Sequence, residues 1–258
     1  MNLRNIILSV ACLWVVGNIW AKPGFTEKPL IRDIQISTLK IEPGHVLALA
    51  MKSFTPDLSV ILAGCGQSFK LAALPSEPLT WRGYLAVPLE TAPGLKVLTI
   101  AVQGGQGDQT QEFEVEVLPA APRKLEVLHI KNYTDFRFAP ESRLMSKLRA
   151  RSAAQLGAAV ECFSSPLPGG RSNANFGVKR VYHPGHKTSV HRGVDLDAPL
   201  GTPVCAPADG VVLLARKFNA HGNTTLVDHG FGVVSTFLHQ SRILVKPGQK
   251  LKAGQTIG

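Results

Sequence analysis

Among the 258 residues, two side chains four positions apart could share one metal ion: His191 and Asp195, in His191-Arg192-Gly193-Val194-Asp195-Leu196-Asp197-Ala198-Pro199. A neutral imidazole and a carboxylate are both zinc donors. Gly193, Val194 and Pro199 argue against a helix through this stretch. On a straight strand the two residues would face the same side but lie ~13 Å apart. Donors to one zinc each sit about 2 Å from it. The backbone must therefore bend between them, and Gly193 is the residue expected to permit the bend. By itself the spacing is a weak signal that more often marks a surface histidine near a turn aspartate. Asp197 is expected to bond nearby backbone and not to serve as a ligand.

The surrounding sequence narrows the choice. Asn175-Phe176-Gly177 and Arg180 precede the pair. Gly201-Thr202-Pro203-Val204, Ala206-Pro207-Ala208-Asp209-Gly210-Val211-Val212 and Gly222-Asn223-Thr224 follow it. Then come Asp228-His229-Gly230, Ser235-Thr236-Phe237-Leu238-His239, Val245-Lys246-Pro247-Gly248-Gln249 and Gly254-Gln255-Thr256-Ile257-Gly258. This ordered series, from about Phe163 to Gly258, resembles the lysostaphin-type, LytM-like peptidoglycan metallopeptidases. The resemblance implies a Zn2+ site with His191 and Asp195 as its first two ligands. It implies that His239 is the strand-end catalytic histidine, which positions or polarises the attacking water and stabilises the developing oxyanion. The implied reaction is hydrolysis of a peptide bond in peptidoglycan stems or cross-bridges. The family's third ligand is the second histidine of a His-x-His pair, and the sequence contains no such pair. A catalytic zinc takes three protein ligands and a water. The expectation is a C-terminally truncated chain whose missing segment carries that pair, and a fragment inactive without it.

Two other functions compete. A catalytically inactive LytM-like module could bind cell wall or activate another hydrolase, but a binder has no chemical need for His191, Asp195 and His239. A lipoyl- or biotinyl-type carrier would share the Gly201–Val212 and Val245–Gly258 turn patterns, but it needs a lysine on an exposed tight hairpin. Lys217, followed by Phe218-Asn219, does not supply one.

The elements that must hold these residues are mostly β. Short alternating runs punctuated by glycine and proline fill Ile31–Leu118 and read as an immunoglobulin-like β-sandwich. Pro119-Ala120-Ala121-Pro122 marks a boundary. A helix is expected over Pro140–Ala159, with Leu144, Met145, Leu148 and Leu156 on one side and Arg143, Lys147, Arg149 and Arg151 mostly toward solvent. Strands are expected at Val211–Ala215, Thr224–Val227 and Val233–Leu238. The organisation is therefore a signal peptide at 1–21, the sandwich at 22–119, a helical connector at 120–162 and an incomplete LytM-like β domain at 163–258.

At the start, Arg4, an apolar run from Ile6 to Val16 and Ala21 before Lys22-Pro23-Gly24 read as a secretory signal cut after Ala21. That run is shorter than the ~20 residues a membrane span needs. Export to the periplasm or cell envelope follows, with peptidoglycan and envelope or divisome proteins as partners. The formal charge of +10 suits anionic wall polymers or lipid headgroups, or simply keeps the protein soluble. No lysine/arginine block alternates with aromatics, which argues against nucleic acid. Cys65, Cys162 and Cys205 are expected mainly as buried free thiols, with a Cys65–Cys162 bridge as the alternative.

Overall fold

The computed structural model describes residues 29–74, 76–120, 125–127, 135–152, 163–173, 175–181 and 188–258. The expected signal peptide, Cys162, His129, His183 and His186 lie outside these residues, as does 153–159 of the expected helix. The chain is mostly β, with one helix among the described residues. None of them forms a helix long and apolar enough to cross a membrane. Two compact units divide the described chain after residue 120.

The first unit contains nine strands: β1 (Ile31–Ile36), β2 (Lys40–Ile41), β3 (Val46–Ser53), β4 (Leu58–Gly64), β5 (Gln67–Lys70), β6 (Ala72–Leu74), β7 (Glu77–Ala86), β8 (Gly94–Gly104) and β9 (Gly107–Val117). They form one sheet in the order β1-β3-β7-β6 and another in the order β2-β9-β8-β4-β5. All pairings are antiparallel except the short parallel β2–β9 contact. Period-two alternation decides which side chains meet between the sheets. Val60 and Leu62 of β4 and Leu98, Ile100 and Val102 of β8 face the same core as Leu47, Leu49 and Met51 of β3. Strands β5 and β6 carry no strong alternation and were not expected from sequence. The β4–β5 hairpin turns at Cys65-Gly66, where φ is 51° and 71°. Two successive positive φ angles mark the two-residue turn that matches strand twist. Cys65 is a half-buried free thiol and not fully buried, as is Cys205. Burial raises the Cys65 thiol above its ordinary value, partly offset by Lys96.

The second unit begins with β10 (Leu125–Val127) and helix α1 (Asp135–Ser152). The helix starts five residues before the expected Pro140, which lies inside it. Short pieces follow: β11 (Arg171–Ser172), β12 (Lys179–Val181), β13 (Ser189–Val190) and β14 (Leu196–Asp197). The main sheet has the order β17-β16-β15-β18, built from β15 (Gly210–Lys217), β16 (Asn223–Asp228), β17 (Val234–Gln240) and β18 (Lys250–Leu251). Its clusters lie on alternate positions. Val227 packs with Val212, Ala206, Leu251 and Ile257. Leu226 packs with Leu214, Phe218 and Met145 of α1. Val212 and Leu214 would share a face in a regular strand, but the β15–β16 register shifts between them, which sends them to different clusters. Arg143, Lys147, Arg149 and Arg151 are exposed, as expected. Arg149 also donates to Thr236 Oγ1 at 3.1 Å.

Candidate metal centre

His191 and Asp195 flank an irregular segment between β13 and β14. The backbone does bend there, and it brings His191 Nε2 within 3.4 Å of Asp195 Oδ1. Two atoms bound to one tetrahedral zinc at about 2.0–2.1 Å stand roughly 3.3 Å apart. The observed separation matches that edge. The bend does not come from a left-handed glycine, however, since Gly193 is not among the positive-φ residues. A Cβ at Gly193 would stand 3.7 Å from His191 Nε2. The glycine therefore keeps space open beside the donor nitrogen.

The other atoms of the pair are already engaged. His191 Nδ1 lies 3.2 Å from the Asn175 carbonyl oxygen. A carbonyl only accepts, so Nδ1 carries the proton and Nε2 presents its lone pair. Asp195 Oδ2 accepts from Asn175 Nδ2 at 2.6 Å and from the Arg180 guanidinium at 2.7 Å. The Asp195 amide donates to Asn175 Oδ1 at 3.0 Å, which closes the contact from both sides. Second partners of this kind fix the orientation of metal ligands. Burial opposes ionisation of Asp195, but the hydrogen bonds from Arg180 and Asn175 and the positive charge of Arg180 outweigh it. Its carboxyl is held below the usual range. Arg180 is itself buried, 9% exposed, and its Nε donates to Glu126 Oε2 at 3.0 Å. Burial opposes its charge, and the two carboxylates more than restore it.

His239 is carried by a different element. It belongs to β17, one residue before the strand's end. Asn223 pairs with Gln240 and Thr225 with Phe237, so Leu238 and His239 together face Thr224. This is a β-bulge, and His239 is its left-handed residue, with φ 55°. A non-glycine residue in that region is uncommon and strained. The bulge returns Gln240 to the side of Thr225, whose hydroxyl donates to Gln240 Oε1 at 2.8 Å. It also re-aims the exposed His239 ring. Among the described residues, no group of three or more His, Cys, Asp or Glu is placed to hold a metal. The structure thus brings His191 and Asp195 together, with no third donor of these types grouped with them among the described residues.

The remaining histidines divide by environment. His229 is 3% exposed, with Nδ1 2.7 Å from the Asp209 carbonyl and Nε2 2.9 Å from Ser235 Oγ. His221 bonds Glu141 of α1 through Nδ1 at 2.6 Å. Asn175 and Arg180 stood in the motif series only as context. Nothing in the sequence pointed to Glu126 or Glu141, because neither lies near a ligand along the chain. An open pocket of about 570 Å³, lined by Gly169, Gly170, Arg171, Asp197, Pro199 and Thr202, begins two residues beyond Asp195.

Residues 189–258 match the model of peptidase family M23. This match agrees with the family that the motif series resembles. Peptidoglycan DD-endopeptidase ShyA of Vibrio cholerae is 40% identical over 88 residues, 34% of this chain and 20% of the relative. Peptidoglycan DD-endopeptidase ShyC of the same organism is 39% identical over 94 residues, 36% of this chain and 22% of the relative. DD-carboxypeptidase/endopeptidase Mpg of Neisseria meningitidis is 35% identical over 93 residues, 36% of this chain and 21% of the relative. The matched stretch spans about a fifth of the length of these curated relatives.

Proposed function

We propose that the second unit is the core of an exported, zinc-dependent endopeptidase that hydrolyses peptide bonds in peptidoglycan stems or cross-bridges. The 3.4 Å separation of His191 Nε2 and Asp195 Oδ1 carries this reading, because it fits two corners of a zinc tetrahedron. The relatives named as peptidoglycan DD-endopeptidases support the substrate class. Zinc, when bound, supplies Lewis-acid polarisation of a peptide carbonyl and acidifies a coordinated water. His191 offers Nε2 because Asn175 holds Nδ1–H, and Asp195 offers Oδ1 because Arg180 and Asn175 occupy Oδ2. His239 orients the attacking water and donates a hydrogen bond to the oxyanion as the peptide carbon becomes tetrahedral.

The first unit is read as an immunoglobulin-like sandwich. The order β1-β3-β7-β6 facing β2-β9-β8-β4-β5 supports that reading.

The test measures metal content and release of soluble peptides from isolated peptidoglycan, using the full natural chain. His191→Ala and Asp195→Ala should each lose stoichiometric zinc. His239→Ala should keep zinc and lose about 100-fold or more of turnover. Wild-type protein without zinc, or an Asp195→Ala variant with unaltered zinc affinity, would overturn the reading. The rival reading is a catalytically inactive wall-binding or hydrolase-activating module. That rival predicts binding to peptidoglycan with no soluble product.

A further inference from the structure

We propose that the connector, residues 125–152, is a positioning element of this site, acting through Glu126 on Asp195 and through Glu141 on His239. The proposal rests on the zinc-peptidase reading above. Both glutamates lie outside residues 189–258, the segment that matches the family.

The first arm is a relay of two carboxylates around one guanidinium. Strand β10 pairs in parallel with β12, and the register places Glu126 beside Arg180. Arg180 Nε donates to Glu126 Oε2 at 3.0 Å, and its terminal NH2 donates to Asp195 Oδ2 at 2.7 Å. A guanidinium is a rigid planar fork, so holding it at Nε fixes the direction of its terminal nitrogens. With Glu126 in place, Arg180 can approach Asp195 only from one side. Asp195 therefore keeps Oδ2 inward and turns Oδ1 toward His191. Without Glu126, Arg180 is still charged and still near Asp195, but free to swing.

The second arm is a carboxylate that caps a turn. Glu141 projects from α1 and accepts hydrogen bonds from four N–H groups of three consecutive residues, the Ala220 amide reaching both oxygens. Oε1 takes the amides of Asn219 and Ala220 at 2.8 and 3.1 Å. Oε2 takes the amide and the ring Nδ1 of His221 at 3.1 and 2.6 Å. The side chain is only 11% exposed. The turn it holds touches the bulge directly. His221 O accepts the His239 amide at 3.0 Å. Gly222, at φ 63°, leaves its missing Cβ only 3.4 Å from His239 Cα and 3.6 Å from His239 Nδ1. The left-handed backbone of His239 thus rests against a turn that is tied to the helix.

A purely structural role would weaken the fold without separating metal binding from turnover, whereas positioning separates them. The variants Glu126→Ala, Glu126→Gln, Glu141→Ala and Glu141→Gln are made in the full natural chain. Zinc affinity is read by chelator competition, the metal environment by the Co2+ absorption spectrum, and kcat and KM on isolated peptidoglycan peptides. Glu126→Ala should weaken zinc binding about tenfold and alter the Co2+ spectrum, as loss of outer partners does. Glu126→Gln keeps an acceptor for Arg180 Nε and should restore most of the affinity. Glu141→Ala should hold zinc within about twofold of wild type while kcat falls about tenfold at constant KM. Glu141→Gln should recover part of that loss. A variant that does not fold is replaced by its glutamine partner, judged by the same criteria. If all four match wild type within about twofold in zinc affinity and kcat, or if both readouts fall together with the folded fraction, the positioning role is wrong. Wild-type protein that binds no zinc removes the zinc-peptidase reading and this inference together. Wild-type binding with unchanged variants removes the inference alone.

Discussion

Arg180 donates to the Asp195 oxygen that points away from His191, at 2.7 Å, while Asp195's other oxygen stands 3.4 Å from the His191 ring. One carboxylate is thus divided between a cation that orients it and an imidazole that shares its open side. Replacing Arg180 with alanine leaves Asp195 and Glu126 facing a void where a charge had been. Removing one partner of a buried pair costs about 3–5 kcal/mol. Here the two carboxylates are 48% and 38% exposed, so solvent screens them and about 1–2 kcal/mol is expected. Urea unfolding of the metal-free protein checks the value. Arg180→Lys should recover little of it, because an ammonium cannot engage both carboxylates in the same planar fork.

The bulge at His239 makes a separate prediction about backbone and side chain. At φ 55° a β-branched residue is strained and glycine is at ease. His239→Val should destabilise the unit by about 1–2 kcal/mol relative to His239→Gly. Both should lack turnover. If valine and glycine give equal thermal midpoints, the left-handed conformation is not held in solution.

How much of this was legible beforehand depends on the range over which each signal acts. Alternation revealed β3, β4 and β8, because burial on one face writes itself into adjacent positions. Strands β5, β6 and β10 to β14 are too short to alternate, and they exist through pairing partners that sequence does not reveal. The helix start misled for a local reason: proline favours the first helical turn, yet Pro140 stands in the sixth position of α1. His191 and Asp195 were found because they lie four residues apart. Glu126 reaches Arg180 across 54 residues and Glu141 reaches His221 across 80, and no local pattern encodes such contacts. The bend at 191–195 was foreseen from metal geometry, and Gly193 was expected to permit it; the glycine does so without a positive φ.

His229 sets a pH dependence on stability. Burial pushes its pKa below the ordinary value, against the Asp209 carbonyl and the nearby Asp228 charge, which raise it. The fold therefore holds the neutral ring, with Nδ1–H given to Asp209 O and Nε2 accepting from Ser235. The unfolded chain binds a proton at about pH 6.5 and the folded one only lower. The stabilisation is complete above about pH 6.5 and is lost as pH falls through that value toward the folded pKa. Urea midpoints measured from pH 8 to pH 5 should decline over this window. In His229→Gln the decline should be shallower. An equal slope in the variant would assign the effect to other groups.

Gly210 stands against the same histidine and gives the sharpest steric prediction. It opens β15, where it pairs with Leu251. A Cβ there would lie 2.5 Å from the Asp228 carbonyl oxygen, 2.7 Å from Val227 Cγ1 and 3.0 Å from His229 Nδ1. The first contact is backbone, in a strand held on both sides, so it cannot move aside as the tip of a side chain would. Gly210→Ala should therefore cost about 1–3 kcal/mol, although alanine is among the smallest changes available. The strain should also disturb the His229 ring, because the hydrogen bond from Nδ1 runs to Asp209, the residue just before the glycine. A chemical-shift change at the His229 ring together with a lowered urea midpoint is the expected pair of results. A variant as stable as the natural chain would mean that β15 and β16 do not approach this closely at Gly210.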